Sequence, residues 1–447
     1  MADIANDRGL RKGARRALAG IAAAAVAGLT LVGCGAGGDG GKTEVVFWYW
    51  AADAPGADEW LDQVIEAYAE VEPDVTVKSV PQSADTLSTN FMAAAAAGSG
   101  PDIATLWQSD LWTASFADQI VPVDELFAAD EIAHWTDTEP LTVGGKLYGI
   151  PQYVFGFNIG YRTDLFEEAG IEVPESGRMS IEEFEAACDA LLAAGITPIA
   201  GGNKTGDLGG WLHSIIGSQN LDSASELVAA SVGQESFDQP KFMDWYELLQ
   251  TWVDRGYFND DVNNLDFGQG MDLFGSGGGA IGFGTDGNIA LWTEQLGSDK
   301  VGAMLPPKWG TGALADTVRK EVQAFVIPKW SPNQQAAADF LTFMHSDENI
   351  ASWYEITKVV PADDRFDSSA ITDPVQLTLA DWSTRDGNWP QDWMPAQING
   401  DANLPAGQLV FAGSGSLEDV VRLWTTTAEA WQSQQPQQVV GWTSLVD

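Results

Sequence analysis

The sequence is poor in the residue types that support many kinds of chemistry. Among 447 residues it has two cysteines and three histidines. His134, His213 and His345 lie far apart and match no metal-binding spacing, so we expect each on the surface or in a hydrogen bond. No Gly-x-Ser-x-Gly turn of a serine hydrolase occurs. These absences argue against a metal centre and against nucleophilic catalysis.

Basic residues are also scarce, because 22 Lys and Arg stand against 64 Asp and Glu. The formal net charge is −42, and a surface of that charge repels nucleic acid and anionic lipid. No cluster of Lys and Arg is present, so anionic ligands are disfavoured as well. The acidity otherwise indicates solubility, as in a salty or acidic habitat.

The first residues have the pattern of a targeting segment rather than of a fold. A basic stretch precedes an Ala-rich apolar run over residues 17–31, which is shorter than the roughly 20 residues that cross a bilayer as a helix. The run ends in Leu31-Val32-Gly33-Cys34, which resembles the lipobox of bacterial lipoprotein signal peptides. The resemblance implies removal of residues 1–33, a lipid on Cys34 and a flexible tether over residues 34–42. The alternative is an ordinary secretory signal in which Cys34 has no role.

A lipid on Cys34 leaves Cys188 without a partner, so no intrachain disulfide is expected. Cys188 lies in an apolar helical pattern and is predicted to be a small core residue. Stability must then come from a sizeable core, which a chain of this length allows. No second apolar segment is long enough to cross a membrane.

Local patterns at the start of the mature chain alternate between strands and helices. Apolar runs predict strands at residues 45–50, 75–77 and 101–106, and helical spacing predicts helices over 58–71 and 87–97. This β-α-β-α-β order is typical of a parallel sheet covered by helices.

Start signals predict further helices later in the chain. Ser180 and Glu183 have the spacing of a capping box. Ser331 followed by Pro332 predicts a helix with proline at its first position. The last helix is predicted over residues 417–432.

A glycine-dense segment contains two overlapping G-x-G-x-x-G matches between Gly277 and Gly287. A dinucleotide site also needs a preceding strand, a following helix and a correctly placed acid, so a chance match is the better explanation. Such a segment suits a strand end where a ligand approaches the backbone. Carboxylates are abundant, and a glycosidase pair is defined by its spacing in three dimensions, so that alternative stays open.

Several motifs, in order, resemble those of a known family. Residues 145–151 spell Gly-Lys-Leu-Tyr-Gly-Ile-Pro, and residues 161–170 end in Asp-Leu-Phe-Glu-Glu-Ala-Gly. Gly-Ser-Gly-Pro-Asp-Ile precedes them at 98–103, and Ile-Pro-Lys follows at 327–329. Together they resemble family 1 extracellular solute-binding proteins, the sugar-binding components of ABC importers. Arg162 replaces the asparagine that is usual in that family.

The resemblance implies an α/β fold of the periplasmic-binding-protein type II, with a ligand cleft between two lobes. Lobe 1 would comprise residues 43–151 and about 318–360, and lobe 2 about 155–315 and 361–447. It further implies a monomer, without enzymatic activity or cofactor, held at the outer face of the cytoplasmic membrane through its lipid. Such a protein captures a carbohydrate, with an oligosaccharide as first choice, and delivers it to an ABC transporter permease.

Tryptophan occurs 19 times, and its flat ring suits the apolar face of a sugar, whereas Asp, Asn and Gln suit the polar rim. Five tryptophans on helical patterns are predicted to be core: Trp60, Trp245, Trp252, Trp424 and Trp431. The candidate ligand-binding residues instead follow strands or lie in loops: Trp50, Asp53, Trp107, Gln108, Asp110, Tyr153, Phe155, Asn203, Trp211, Asp286, Asn288, Trp389 and Trp393.

Two rival functions fit the same residues. A lipid-anchored glycosidase would convert the sugar rather than return it unchanged. A receptor of the same fold for a cationic ligand, such as a polyamine, would suit the acidic surface.

Overall fold

A computed structural model describes residues 42–51 and 54–446, and it describes Ala84 and Asp85 by their backbone alone. Cys34 and the candidate Asp53 therefore lie outside the described residues. Within the described residues, no helix is both long and apolar enough to cross a membrane.

Strands and helices alternate along most of the chain. The strands are β1 (Thr43–Tyr49), β2 (Val75–Pro81), β3 (Ile103–Leu106), β4 (Thr142–Val143), β5 (Lys146–Leu147), β6 (Ile150–Arg162), β7 (Arg178–Ser180), β8 (Ile199–Ala200), β9 (Ile281–Thr285), β10 (Val301–Lys308), β11 (Val318–Val326) and β12 (Gly387–Asn388).

The helices of the first part are α1 (Ala57–Val71), α2 (Ala84–Ala97), α3 (Gln108–Phe116), α4 (Ala129–Ile132), α5 (Thr163–Ala169), α6 (Ile181–Ala193), α7 (Asp207–Ile215), α8 (Ser225–Ser231) and α9 (Pro240–Asp254). Those of the second part are α10 (Phe267–Gly275), α11 (Asp286–Leu296), α12 (Gln334–Met344), α13 (Asp347–Thr357), α14 (Pro374–Ser383), α15 (Ala396–Ile398), α16 (Leu404–Phe411), α17 (Leu417–Gln434) and α18 (Pro436–Thr443).

The predicted start of the fold is confirmed. Strand β1 pairs in parallel with β2 on one side and with β3 on the other. Helix α1 buries Trp60, Leu61 and Val64. Helix α2 ends at Gly98, whose φ of 60° is the left-handed conformation that glycine adopts readily at helix ends.

Two long strands connect the two halves of the main sheet, whose order is β2-β1-β3-β11-β6-β10-β7. The first half is β1 to β3, and the second half is β7 to β10. Strand β6 pairs with β11 over its first residues and with β9 and β10 over its last. We call β6 and β11 the crossing strands. All but the last two residues of β6 are buried, so it runs through the core.

Helices from distant parts of the sequence complete each half. In the first half, the Trp60 indole donates to the Asn349 carbonyl (3.1 Å) and packs edge-on against Trp353, which ties α1 to α13. In the second half, α9 packs against α16 and α17. The five tryptophans predicted as core are all buried, and so is Cys188.

One helix start differs from its prediction and another is confirmed. Helix α12 begins at Gln334 rather than at Pro332, with Asn333 at its N-cap. The Ser331 hydroxyl donates to Asp102 Oδ1 (2.6 Å) instead of capping a helix. The capping box of Ser180 and Glu183 is present at the start of α6.

Candidate ligand-binding site

The 3-10 turn Pro390–Trp393, which we call the bridging turn, connects the two halves of the molecule. It packs against α3, which belongs to the first half, and against α7, which belongs to the second. Proline at the first position of this turn fixes the backbone there. Several of the candidate residues lie on or beside it.

Four aromatic rings gather where the bridging turn begins. Trp389 stacks on Phe157 of β6, with ring centroids 3.5 Å apart and planes 7° apart. Trp211 of α7 meets both rings edge-on, at 4.9 Å from Phe157 and 5.7 Å from Trp389. Phe267 packs edge-on against Trp211 at 4.3 Å. Within this aromatic cluster Trp211 and Phe267 are half-exposed, whereas Phe157 and Trp389 are buried.

Three acidic side chains gather at the other end of the bridging turn: Asp110, Glu321 and Asp392. This acidic cluster draws one residue each from α3, β11 and the turn. Asp392 shares a hydrogen bond with Glu321 and accepts one from the backbone N–H of Gln108. Asp110 accepts one from the Ser88 hydroxyl.

The acidic cluster is buried, and burial disfavours the charged form of a carboxyl group. Burial raises the pKa of Asp110 to about 6, although the Ser88 hydrogen bond opposes this shift. Burial, together with the negative charge of Asp110, raises the pKa of Asp392. These groups therefore retain protons more readily than surface aspartates.

Buried polar atoms beside the acidic cluster lack hydrogen-bond partners among the described residues. They are the Gln108 Nε2, both polar atoms of the Gln323 side chain, and Asp392 Oδ2. Most buried polar groups in folded proteins are hydrogen-bonded. These atoms are therefore donors and acceptors available to a polar ligand.

Three further candidates flank this region. Trp50 and Trp107 follow β1 and β3, whose carboxyl ends share one edge of the sheet, and their rings meet at 4.5 Å. Both are half-buried, and Trp107 directly precedes Gln108. Trp393 packs edge-on against Trp112 of α3 at 5.0 Å. The candidates Trp50, Trp107, Gln108, Asp110, Trp211, Trp389 and Trp393 thus form one region around the bridging turn.

Asp286 and Asn288 lie elsewhere. Asp286 accepts hydrogen bonds from the Gly156 N–H (2.7 Å) and from Asn158 Nδ2 (2.8 Å). Successive side chains of a strand point to opposite faces, so Asn158 and Phe157 face apart. Asp286 is therefore on the far side of β6 from the aromatic cluster. Asn288 forms a capping box with Thr285 at the start of α11.

The remaining candidates have structural contacts of their own. Tyr153 is fully buried and stacks on Trp353 at 5.0 Å, and Phe155 is fully buried between Tyr153 and Phe157. Asn203 Oδ1 accepts a hydrogen bond from the Gly209 N–H (2.9 Å) in the first turn of α7. These contacts suit support of the site more than direct contact with a ligand.

Two residues of the site were missed by sequence analysis. Glu321 sits in an ordinary buried strand, so no local pattern distinguishes it. Asp392 lies between two of the candidates, Trp389 and Trp393, and that position is the one signal that points to it.

The described residues include one cluster of potential metal ligands. The Arg365 side chain is ion-paired with two of its members. Glu131, His345 and Asp363 bring ligand atoms within 4.8 Å of one another. Arg365 pairs with Glu131 (2.7 Å) and with Asp363 (2.6 Å). Burial opposes ionisation of Asp363, but hydrogen bonds from Arg365 and His345 hold its pKa well below the usual range. The cluster is thus an ion-pair network.

Comparison with known proteins gives one family and several similar structures. The family described as bacterial extracellular solute-binding protein matches residues 51–351. A chitin oligosaccharide binding protein is 20% identical with a TM-score of 0.76, covering 88% of this chain and 99% of its own. No curated protein matches the chain.

Two further solved structures are similar in fold. The GacH receptor of Streptomyces glaucescens is 18% identical with a TM-score of 0.69, covering 88% of this chain and 98% of its own. The bacterial solute receptor AcbH is 15% identical with a TM-score of 0.73, covering 89% of this chain and 99% of its own. The mixed α/β fold is thus that of the periplasmic binding proteins. The chain belongs to the bacterial extracellular solute-binding protein family, whose members are non-enzymatic receptors of ABC importers.

Proposed function

We propose that this receptor captures an extracellular carbohydrate, with an oligosaccharide as first choice, and delivers it to the permease of an ABC importer. The observation that carries the proposal is the aromatic cluster at one end of the bridging turn together with the buried, unpartnered polar atoms at the other. A sugar ring needs a flat apolar surface on one face and hydrogen-bonding groups at its rim. The region around the bridging turn offers both.

The ligands of the similar structures support the choice of ligand. One binds chitin oligosaccharide, the GacH receptor is described in complex with acarbose, and AcbH prefers β-D-galactopyranose. The bridging turn also suits this task, because its residues lie between elements of both halves.

The capture mechanism that we propose uses the crossing strands as a hinge. The lobes would be residues 43–151 with about 318–360, and about 155–315 with 361–447. A ligand held between α3 of one lobe and α7 of the other makes all its contacts only when the lobes close. It therefore shifts the equilibrium toward the closed form, which the permease recognises.

Isothermal titration calorimetry of the purified protein with neutral oligosaccharides tests the proposal. We expect saturable binding that weakens about two- to tenfold in Trp211→Ala, because an aromatic contact contributes about 0.5–1.5 kcal/mol. Trp330 is also half-buried but packs on Phe91 in the first half, so Trp330→Ala is the matched control. Absence of binding by every neutral sugar, with binding of a polyamine or amino acid, would overturn the carbohydrate assignment.

We also propose that Cys34 carries the lipid that keeps the receptor at the outer face of the membrane. A tethered receptor stays at high local concentration near its permease. Cys34→Ser should move the protein from the membrane fraction to the soluble fraction while its ligand affinity stays within twofold. Retention of the variant in the membrane fraction would contradict the anchor.

A further inference from the structure

The acidic cluster joins three elements that come from distant parts of the chain. Asp110, Glu321 and Asp392 are each less than 8% exposed. The hydrogen bond between Asp392 and Glu321 joins two carboxyl groups. Two such groups bond directly only when one of them carries a proton. The charge of Asp110 acts on the same pair.

The described residues supply no cation to two of these groups. No Lys, Arg or His among them lies within 4.0 Å of Asp110 or Asp392 in an ion pair. The buried Arg319 of β11 donates instead to the Ser214 carbonyl (3.0 Å), the Thr317 hydroxyl and the Leu314 carbonyl. Lys320 pairs with Asp137 at 2.7 Å.

The unpartnered atoms beside the cluster indicate where a ligand group would be held. Asp392 Oδ2 and Gln323 Oε1 are buried acceptors without partners among the described residues. Gln323 projects from the same face of β11 as Glu321, because side chains two residues apart on a strand share a face. Gln108 Nε2 and Gln323 Nε2 are buried donors, and the Gln108 backbone N–H bonds to Asp392. The region therefore holds two unpartnered acceptors and two unpartnered donors beside the negative charge of the acidic cluster.

Resting on the proposed function, we propose that this site selects saccharides that carry a protonated amine, as glucosamine oligomers do, over neutral saccharides of the same size. An ammonium group offers three N–H donors and one positive charge, which match the acceptors and offset the buried carboxylates. A neutral hydroxyl group donates one hydrogen bond and supplies no positive charge to the cluster. Gln108 Nε2 suits a sugar hydroxyl oxygen beside the amine.

A metal ion is the other species that could offset these charges, and the geometry does not favour it. A metal draws its ligand atoms close together. Among the described residues the group whose ligand atoms lie within 4.8 Å is Glu131, His345 and Asp363, not the acidic cluster. An amino sugar does not need its acceptors so close together, because its amine and its hydroxyl groups contact different atoms of the site.

Calorimetry at pH 7 with three trisaccharides tests the inference. The probes are the glucosamine trimer, its N-acetylated counterpart and a neutral glucose trimer. We expect the glucosamine trimer to bind at least tenfold more tightly than either. Equal or tighter binding of the acetylated or neutral trimer would overturn the inference and leave the proposed function standing. No binding of any trimer, with binding of spermidine, would overturn both.

Two variants locate the selectivity. Asp392→Asn should lower affinity for the glucosamine trimer at least tenfold and change affinity for the acetylated trimer less than threefold. Asp401→Asn, at an exposed aspartate, should change neither. Equal losses for both trimers in Asp392→Asn would contradict a charge-specific role. If that variant fails to fold, the trimer comparison on the wild-type protein decides the question.

Discussion

Asp286 accepts hydrogen bonds from the crossing strand β6. Replacing it by asparagine tests how its carboxyl group affects the pH dependence of the free energy of unfolding. Its carboxyl group accepts hydrogen bonds from the Gly156 N–H, from Asn158 Nδ2 and from the Ser383 hydroxyl (3.2 Å). Burial raises the pKa of Asp286 from 3.8 to about 6, even though the three hydrogen bonds lower it. The free-energy cost of burying the charged carboxylate is therefore larger than the stabilisation of that charge by the three hydrogen bonds.

The sign of the effect on stability follows from this shift. The folded state binds the Asp286 proton more tightly than the unfolded state does, so the free energy of unfolding falls as pH rises from about 4 to about 6. A shift of about 2 pKa units corresponds to about 3 kcal/mol. Asp286→Asn removes this titration. Relative to wild type, the variant should therefore gain up to about 3 kcal/mol between pH 4 and pH 7.

Urea unfolding followed by tryptophan fluorescence, at several pH values from 4 to 7.5, measures the difference. Asp260→Asn, at an exposed aspartate of the second half, is the matched control and should track wild type at every pH. A difference between Asp286→Asn and wild type that is constant across this range would refute the reasoning.

Three other substitutions test features of the fold. Ser180→Ala should lower the free energy of unfolding by about 1 kcal/mol, because it removes the cap of α6; an unchanged urea midpoint would contradict this. Gly202→Ala should destabilise by about 1–3 kcal/mol, because a Cβ there would lie 1.9 Å from the Asp266 carbonyl oxygen. Gly400→Ala, where a Cβ meets no atom within 4 Å, is its control in thermal melts, and equal melting temperatures would refute the steric argument. Trp389→Ala should destabilise by about 3–5 kcal/mol through loss of a buried ring, and a loss of ligand affinity alone would show that the ring is not structural.

The structure agrees with the sequence patterns where the residues that decide a local conformation are neighbours in sequence. The strands and helices from β1 to β3 follow from apolar spacing, and the cap at Ser180 follows from the acid three residues later. The start of α12 was misplaced because Ser331 is held by Asp102, more than two hundred residues away in sequence. No local pattern contains that contact.

The residues of the candidate site divide in the same way, into those that local patterns indicate and those that depend on distant strand pairing. Trp50, Trp107 and Gln108 could be grouped from sequence, because residues after parallel strands meet at one edge of a sheet. Asp286 also follows a strand, but the register of β9 on β6 places it on the opposite face from Trp389. Glu321 depends on the pairing of β11 with β6, which joins residues far apart in the chain.

The position of β11 has a consequence for how the polypeptide is made. Strand β3 pairs with β1 on one side and with β11 on the other, yet β11 begins only at Val318. Until that residue has been synthesised, β3, whose four residues are all buried in the folded protein, has an open edge that other chains can join. At about 5–20 residues per second, the interval is on the order of ten seconds or longer. A chain truncated before β11 should therefore aggregate. A chaperone that binds the nascent chain during this interval would prevent pairing at the open edge of β3.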